Sequence, residues 1–154
     1  MKTIDQWFAE YQRDHQDPTN QILHKICVPA IVFSTLGLLF CIPFPLVSAP
    51  GLDRVYMNWA AVSSFFLMIF YLLLVPRFAF PLLVLVLCML GTFASWDIAS
   101  PNSILPVCVG IFVLAWIGQG VGHHMEGRRP SFLKDLHFLL IGPVWVLAFL
   151  LDLS

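Results

Sequence analysis

Residues 57–96 read MNWAAVSSFFLMIFYLLLVPRFAFPLLVLVLCMLGTFASW, and the one charge in that stretch is Arg77, directly after Pro76. The runs from Met57 to Val75 and from Phe78 to Trp96 contain no Asp, Glu, Lys or Arg. A hydrocarbon core of about 30 Å is crossed by roughly 17 to 25 apolar residues rising about 1.5 Å each, so each run is long enough to span a membrane as a helix. Proline suits a tight turn between antiparallel neighbours. The pair therefore reads as two spans turning at Pro76-Arg77, or alternatively as one buried hairpin.

The same pattern extends outward. The chain is 59% hydrophobic and 11% charged, with a mean hydropathy of +0.85, whereas soluble domains carry about 25% charged residues. Charge-free runs also cover Ile26 to Ile42, Ile104 to Gly122 and Leu136 to Leu151. The expected architecture is all-α: a polytopic membrane helical bundle of about five transmembrane helices in a single domain, 1–154. The first and last spans are short, and the first carries Pro29. Prolines and glycine between Pro43 and Tyr56, and Pro101 between Asp97 and Ser103, mark irregular connectors. The first apolar run follows too long a polar stretch for a signal peptide, and no cleavage is expected.

Placing the spans sorts the charges. Lys2, Arg13, Lys25, Arg77, Arg128, Arg129 and Lys134 fall on one side and Arg54 alone on the other, which makes the first side cytoplasmic by the positive-inside rule. All five histidines, His15, His24, His123, His124 and His137, fall on that side too. Charge asymmetry is explained by topology. Histidine asymmetry is not, and a metal site at a membrane surface is the hypothesis it raises.

Local patterns refine that hypothesis. Thr3 with Gln6 forms a capping-box start, and Ile4, Trp7, Phe8 and Tyr11 then recur at helical spacing, with His15 continuing the stripe. This is an N-terminal amphipathic interfacial helix. It ends near Asp17-Pro18, because a residue before proline is pushed out of the α region. A new helix can start there with Asp17 as N-cap and Pro18 at its first position, placing Asn20 and His24 on one face. Trp116, Gln119, His123 and Glu126 would line one face of a continuous helix. Gly118, Gly120 and Gly122 weaken such a helix or, equally, allow a neighbour to approach closely.

The segment His15-Gln-Asp-Pro-Thr-Asn20 followed by Ile-Leu-His24-Lys-Ile-Cys-Val-Pro29, with Trp116-Ile-Gly-Gln119 and Gly122-His123 leading to Glu126-Gly-Arg-Arg-Pro130, resembles the membrane 2-hydroxy fatty acid dioxygenases. Fungal members shorten the 2-hydroxy fatty acid derived from phytosphingosine in fatty acid α-oxidation. The resemblance runs from Tyr11 to Gly142-Pro143. It departs from the fungal pattern in a longer interval from His15 to Asn20, a shorter one from His123 to Glu126, and the lack of a C-terminal extension.

The resemblance implies an Fe(II)-dependent enzyme that cleaves a 2-hydroxy fatty acid between C1 and C2 with O2, giving CO2 and an acid one carbon shorter. Imidazole suits iron, and three protein ligands leave positions for O2 and a chelating substrate. The implied ligands are His15, His24 and His123. Asn20 and Gln119, one turn before His24 and His123, would orient ligands or bind the substrate carboxylate. Glu126 is the implied catalytic carboxylate, as a fourth ligand or a base that fixes an imidazole tautomer; its bland alternative is a surface ion pair with Arg128 or Arg129. Those arginines anchor the topology or meet the substrate carboxylate. His124 lies about 100° around the helix from His123, and neither it nor His137 is needed by the motif.

The four cysteines lack C-x-x-C spacing and read as packing residues. No phosphate loop, Ser-His-Asp order or nucleic-acid patch is present. A transporter would carry ionisable groups within its spans, and these carry none beyond the boundary histidines. The remaining alternatives are a haem protein using His24 and His123 as axial ligands and a non-catalytic structural membrane protein. Expected partners are the 2-hydroxy fatty acid, O2 and membrane lipid. A bacterial inner membrane is the expected location, or the endoplasmic reticulum if the host is eukaryotic.

Overall fold

A computed structural model describes residues 6–9, 13, 16–45, 56–125 and 132–150, the side chains of the last stretch only from 140 to 149. The described chain is all-helical. Residues 6–9 are helical with Phe8 buried, in agreement with the amphipathic segment, whose Thr3 cap lies outside the described residues. Five longer helices follow: α1 (Pro18–Cys41), α2 (Trp59–Leu74), α3 (Pro76–Ala99), α4 (Pro101–Met125) and α5 (Phe132–Leu150). Three of them, α1, α3 and α4, are long and apolar enough to cross a membrane.

The start of α1 follows from Asp17. Its Oδ1 accepts hydrogen bonds from Thr19 N at 2.8 Å and Asn20 N at 3.0 Å, which satisfies two of the amides that a helix leaves unpaired at its first turn. From that cap the helix runs unbroken for 24 residues through Pro29. The helix expected to start at Asp17-Pro18 and the first span, Ile26 to Ile42, are thus parts of one element.

Both helical turns in the middle of the chain are shorter than expected, for one reason. Val75 precedes Pro76 and takes φ −142° and ψ 61°, and Ser100 precedes Pro101 and takes φ −161° and ψ 71°. Each is the single residue between two helices, because proline bars its predecessor from the α region while itself opening the next helix. The anticipated connector from Asp97 to Ser103 thus shrinks to Ser100. Trp96 Nε1 donates to Ser103 Oγ at 2.7 Å and Ser103 Oγ donates to the Ser100 carbonyl at 2.8 Å, tying the turn. The second helix, α2, is also trimmed: Asn58 Oδ1 accepts from Ala61 N at 2.8 Å, so α2 begins at Trp59 and has 16 residues, or about 24 Å.

Contacts divide the chain into two compact units, one of Met1–Val32 with Val113–Ser154 and the other of Phe33–Phe112. In the second, Phe93 is fully buried against Phe33 and Phe40, with ring centres 4.7 and 6.0 Å away. Gly37 lies against Cys108 and Phe93, where a side chain would collide with both. Outward, Leu73, Phe80 and Ile98 are 81%, 74% and 78% exposed. Apolar surface presented in this way is what lipid solvates, and a soluble monomer rarely exposes so much of it.

The first unit joins the start of α1, the end of α4 and α5. Gly118 faces Cys27, whose Sγ would lie 2.6 Å from an added Cβ, and Gly122 faces Asn20 and Leu23. As α1 advances from Asn20 to Cys27, α4 retreats from Gly122 to Gly118, so the two are antiparallel. Gly142 of α5 lies against Val28, and Lys25 Nζ sits 5.7 Å from the Trp145 ring centre and 3.3 Å from that of Phe149. These contacts place α5 against the same stretch of α1 that meets α4.

Candidate metal and substrate site

The first unit holds the site. Asn20, His24 and Cys27 follow at helical spacing on the side of α1 that meets α4, and all three are buried, Asn20 at 0% exposure and His24 at 4%. Gly118, Gly122 and His123 are their counterparts on α4. With only hydrogen at Gly122, the Asn20 side chain packs directly onto the α4 backbone. The glycines that made a continuous α4 questionable are therefore divided in role: α4 is unbroken, Gly118 and Gly122 admit α1, and Gly120 has nothing within 4 Å of an added Cβ.

That approach brings two imidazoles together. The rings of His24 and His123 have centres 5.1 Å apart and planes at 88°. His24 Nδ1 lies 3.0 Å from the Asn20 carbonyl oxygen. A carbonyl only accepts, so Nδ1 carries the proton, and in the neutral ring Nε2 is the nitrogen with a lone pair. This is how proteins commonly prepare a metal-binding histidine, since the bond to one nitrogen fixes the tautomer and aims the other.

The spacing fits a shared ion. With metal to nitrogen distances of about 2.1 Å, each ring centre stands roughly 3.3 Å from the ion, and centres 5.1 Å apart then subtend about 100° at it.

Of the expected site residues, the structure unites Asn20, His24 and His123. Gln119 is buried one turn before His123 on α4, and Trp116 is half-buried. His124 is exposed. His15, Glu126, Arg128, Arg129 and the side chain of His137 lie outside the described residues. Among the described residues no group of three or more His, Cys, Asp or Glu could hold a metal ion, and the donors in view are the two imidazoles. Two features escaped the sequence reading: the seating of Asn20 on Gly122, foreshadowed by the Gly118-x-x-x-Gly122 spacing, and the aromatic contact of Lys25, which no local pattern signals.

Long apolar helices of this kind, with two imidazoles brought together where α1 meets α4, define an all-α membrane protein. A sequence model of the family described as "2-hydroxy-palmitic acid dioxygenase Mpo1-like" matches residues 1–153. The chain is also 31% identical over 142 residues to a protein of Saccharomyces cerevisiae named 2-hydroxy-palmitic acid dioxygenase MPO1, covering 89% of this chain and 73% of the yeast protein. The chain belongs to the Mpo1-like family. No solved structure matches it.

Proposed function

We propose that this protein is an Fe(II)-dependent dioxygenase that cleaves 2-hydroxy fatty acids between C1 and C2. The observation that carries the reading is the His24–His123 pair, with His24 Nδ1 committed to the Asn20 carbonyl, in a chain of the Mpo1-like family. Hydroxy acid plus O2 equals the shortened acid, CO2 and water, so the reaction balances with no other reductant. Bound iron would supply the site where O2 and the two oxygens of the hydroxy acid meet.

The chain's own residues do the rest. His24 and His123 would hold the ion, His24 through Nε2, and His15 is the proposed third ligand. Asn20 orients His24 through its backbone carbonyl and, with Gln119, would bind or orient the substrate head. Glu126 is the proposed base or fourth ligand. An acyl chain stays among apolar helices because each buried CH2 is worth about 0.8 kcal/mol, while its head meets the site at the helix ends. The excess of Lys and Arg on the histidine side supports a cytoplasmic-facing site, in a bacterial inner membrane or the endoplasmic reticulum.

Anaerobic loading with Fe(II), followed by 2-hydroxypalmitate and O2, tests the reaction. The expected product is the C15 acid with one CO2 per turnover. Absence of that acid from iron-loaded protein would overturn the assignment.

A further inference from the structure

Lys25 follows His24 directly, and its ammonium enters none of the chemistry above. It sits half-buried at the boundary of the first apolar run, where a long cationic side chain lays its stem along the helix and its head against a partner. Its partners in the structure are ring faces: Phe149, with the ring centre 3.3 Å from Nζ, and Trp145 at 5.7 Å. Those two rings are stacked, their centres 6.4 Å apart and planes at 24°. Among the described residues no carboxylate pairs with Lys25. Among the described residues the contacts of the ammonium are thus with ring faces.

We infer that Lys25 is the cation that receives the substrate carboxylate, resting on Phe149 and Trp145 until the substrate arrives. The inference rests on the dioxygenase reading and adds a specificity determinant to it. A 2-hydroxy fatty acid brings one negative charge into a region where, apart from the iron they would hold, Asn20, Gln119 and the two imidazoles offer no fixed positive charge. Consecutive residues diverge by about 100° around a helix, so His24 faces α4 while Lys25 occupies the adjoining flank toward α5. A flexible four-carbon stem with rotatable donors lets the ammonium pivot between ring faces and an oxyanion beside His24. In a weakly polar setting a carboxylate competes well against an aromatic face, because a full charge interacts more strongly than a quadrupole. Acid, rather than ester or alcohol, then becomes the favoured ligand.

The test uses the full-length protein in detergent, loaded with Fe(II) and kept anaerobic so that substrate binds without turnover. Adding 2-hydroxypalmitate should change the emission of Trp145 as the ammonium leaves it, read as the difference between wild type and Trp145→Phe; the methyl ester should produce no such change. With O2 admitted, Lys25→Met should raise KM for 2-hydroxypalmitate roughly tenfold or more, and Lys25→Arg should restore most of the loss. An equal Trp145 response to acid and ester would overturn the inference, as would a Lys25→Met KM within twofold of wild type. Should Lys25→Met fail to fold, the Trp145 comparison still decides. Wild-type turnover separates the two claims: an inactive wild type defeats the dioxygenase reading, whereas an active one indifferent to Lys25 defeats only this assignment.

Discussion

Replacing Gly122 with alanine sets two effects of known sign against each other. In a helix interior the change gains about 1 kcal/mol from propensity alone. Here the new methyl would fall on Asn20 Oδ1, with Asn20 Cγ only 3.2 Å away, and forced overpacking costs typically 1 to 3 kcal/mol. Asn20 is fully buried, so its side chain has little room to turn aside, and its carbonyl is what holds His24 Nδ1. Net destabilisation of about 0 to 2 kcal/mol is therefore expected, with a larger effect on turnover. Displacing a reacting group by about 1 Å can cost a hundredfold, and a ten- to hundredfold fall in kcat/KM is the predicted range. Gly120→Ala, two residues away with open space around it, is the internal control: it should gain the propensity term and keep its activity. Thermal unfolding in detergent and initial rates with 2-hydroxypalmitate measure both quantities for both variants. The reasoning is refuted if Gly122→Ala matches wild type in rate, or if Gly120→Ala loses as much as Gly122→Ala.

Three further outcomes follow from other parts of the molecule. Asn58→Ala removes the cap on α2 and should lower stability by about 0.5 to 2 kcal/mol with kcat unchanged, as checked by thermal unfolding alongside the rate assay. Gly37→Ala would strike Cys108 and Phe93, whose Cε1 is 2.8 Å from the added carbon; a loss of about 1 to 3 kcal/mol is expected, seen as a lower midpoint of thermal unfolding. Single cysteines placed at residues 16 and 125, in a variant whose four native cysteines are replaced, should react with an impermeant thiol reagent from the same side of the membrane, because α1 and α4 are antiparallel with those positions at adjacent ends.

Much of this arrangement is legible in local chemistry. Asp17-Pro18 marks the start of α1, and Pro76 marks the turn between α2 and α3, since both act through steric or hydrogen-bonding rules confined to a few residues. Asn20, His24 and His123 were recognisable because polar residues among featureless apolar runs have few reasons to be there. What escaped the sequence depends on partners distant along the chain. The division of labour among Gly118, Gly120 and Gly122 is set by which of them meets α1. The resting place of the Lys25 ammonium is set by Trp145 and Phe149, which a charge count along the chain does not see. The unbroken course of α1 through Pro29 shows the reverse case, a proline tolerated inside a membrane helix.

The claim on which the rest depends is that the His24–His123 pair holds a non-haem iron. Iron analysis of Fe(II)-loaded protein, with an absorption spectrum of the same sample, tests it directly. The account predicts about one iron per chain without a Soret band, and loss of that iron in both His24→Ala and His123→Ala while the proteins remain folded. Full iron retention in either variant, or a Soret band in the wild type, would contradict it.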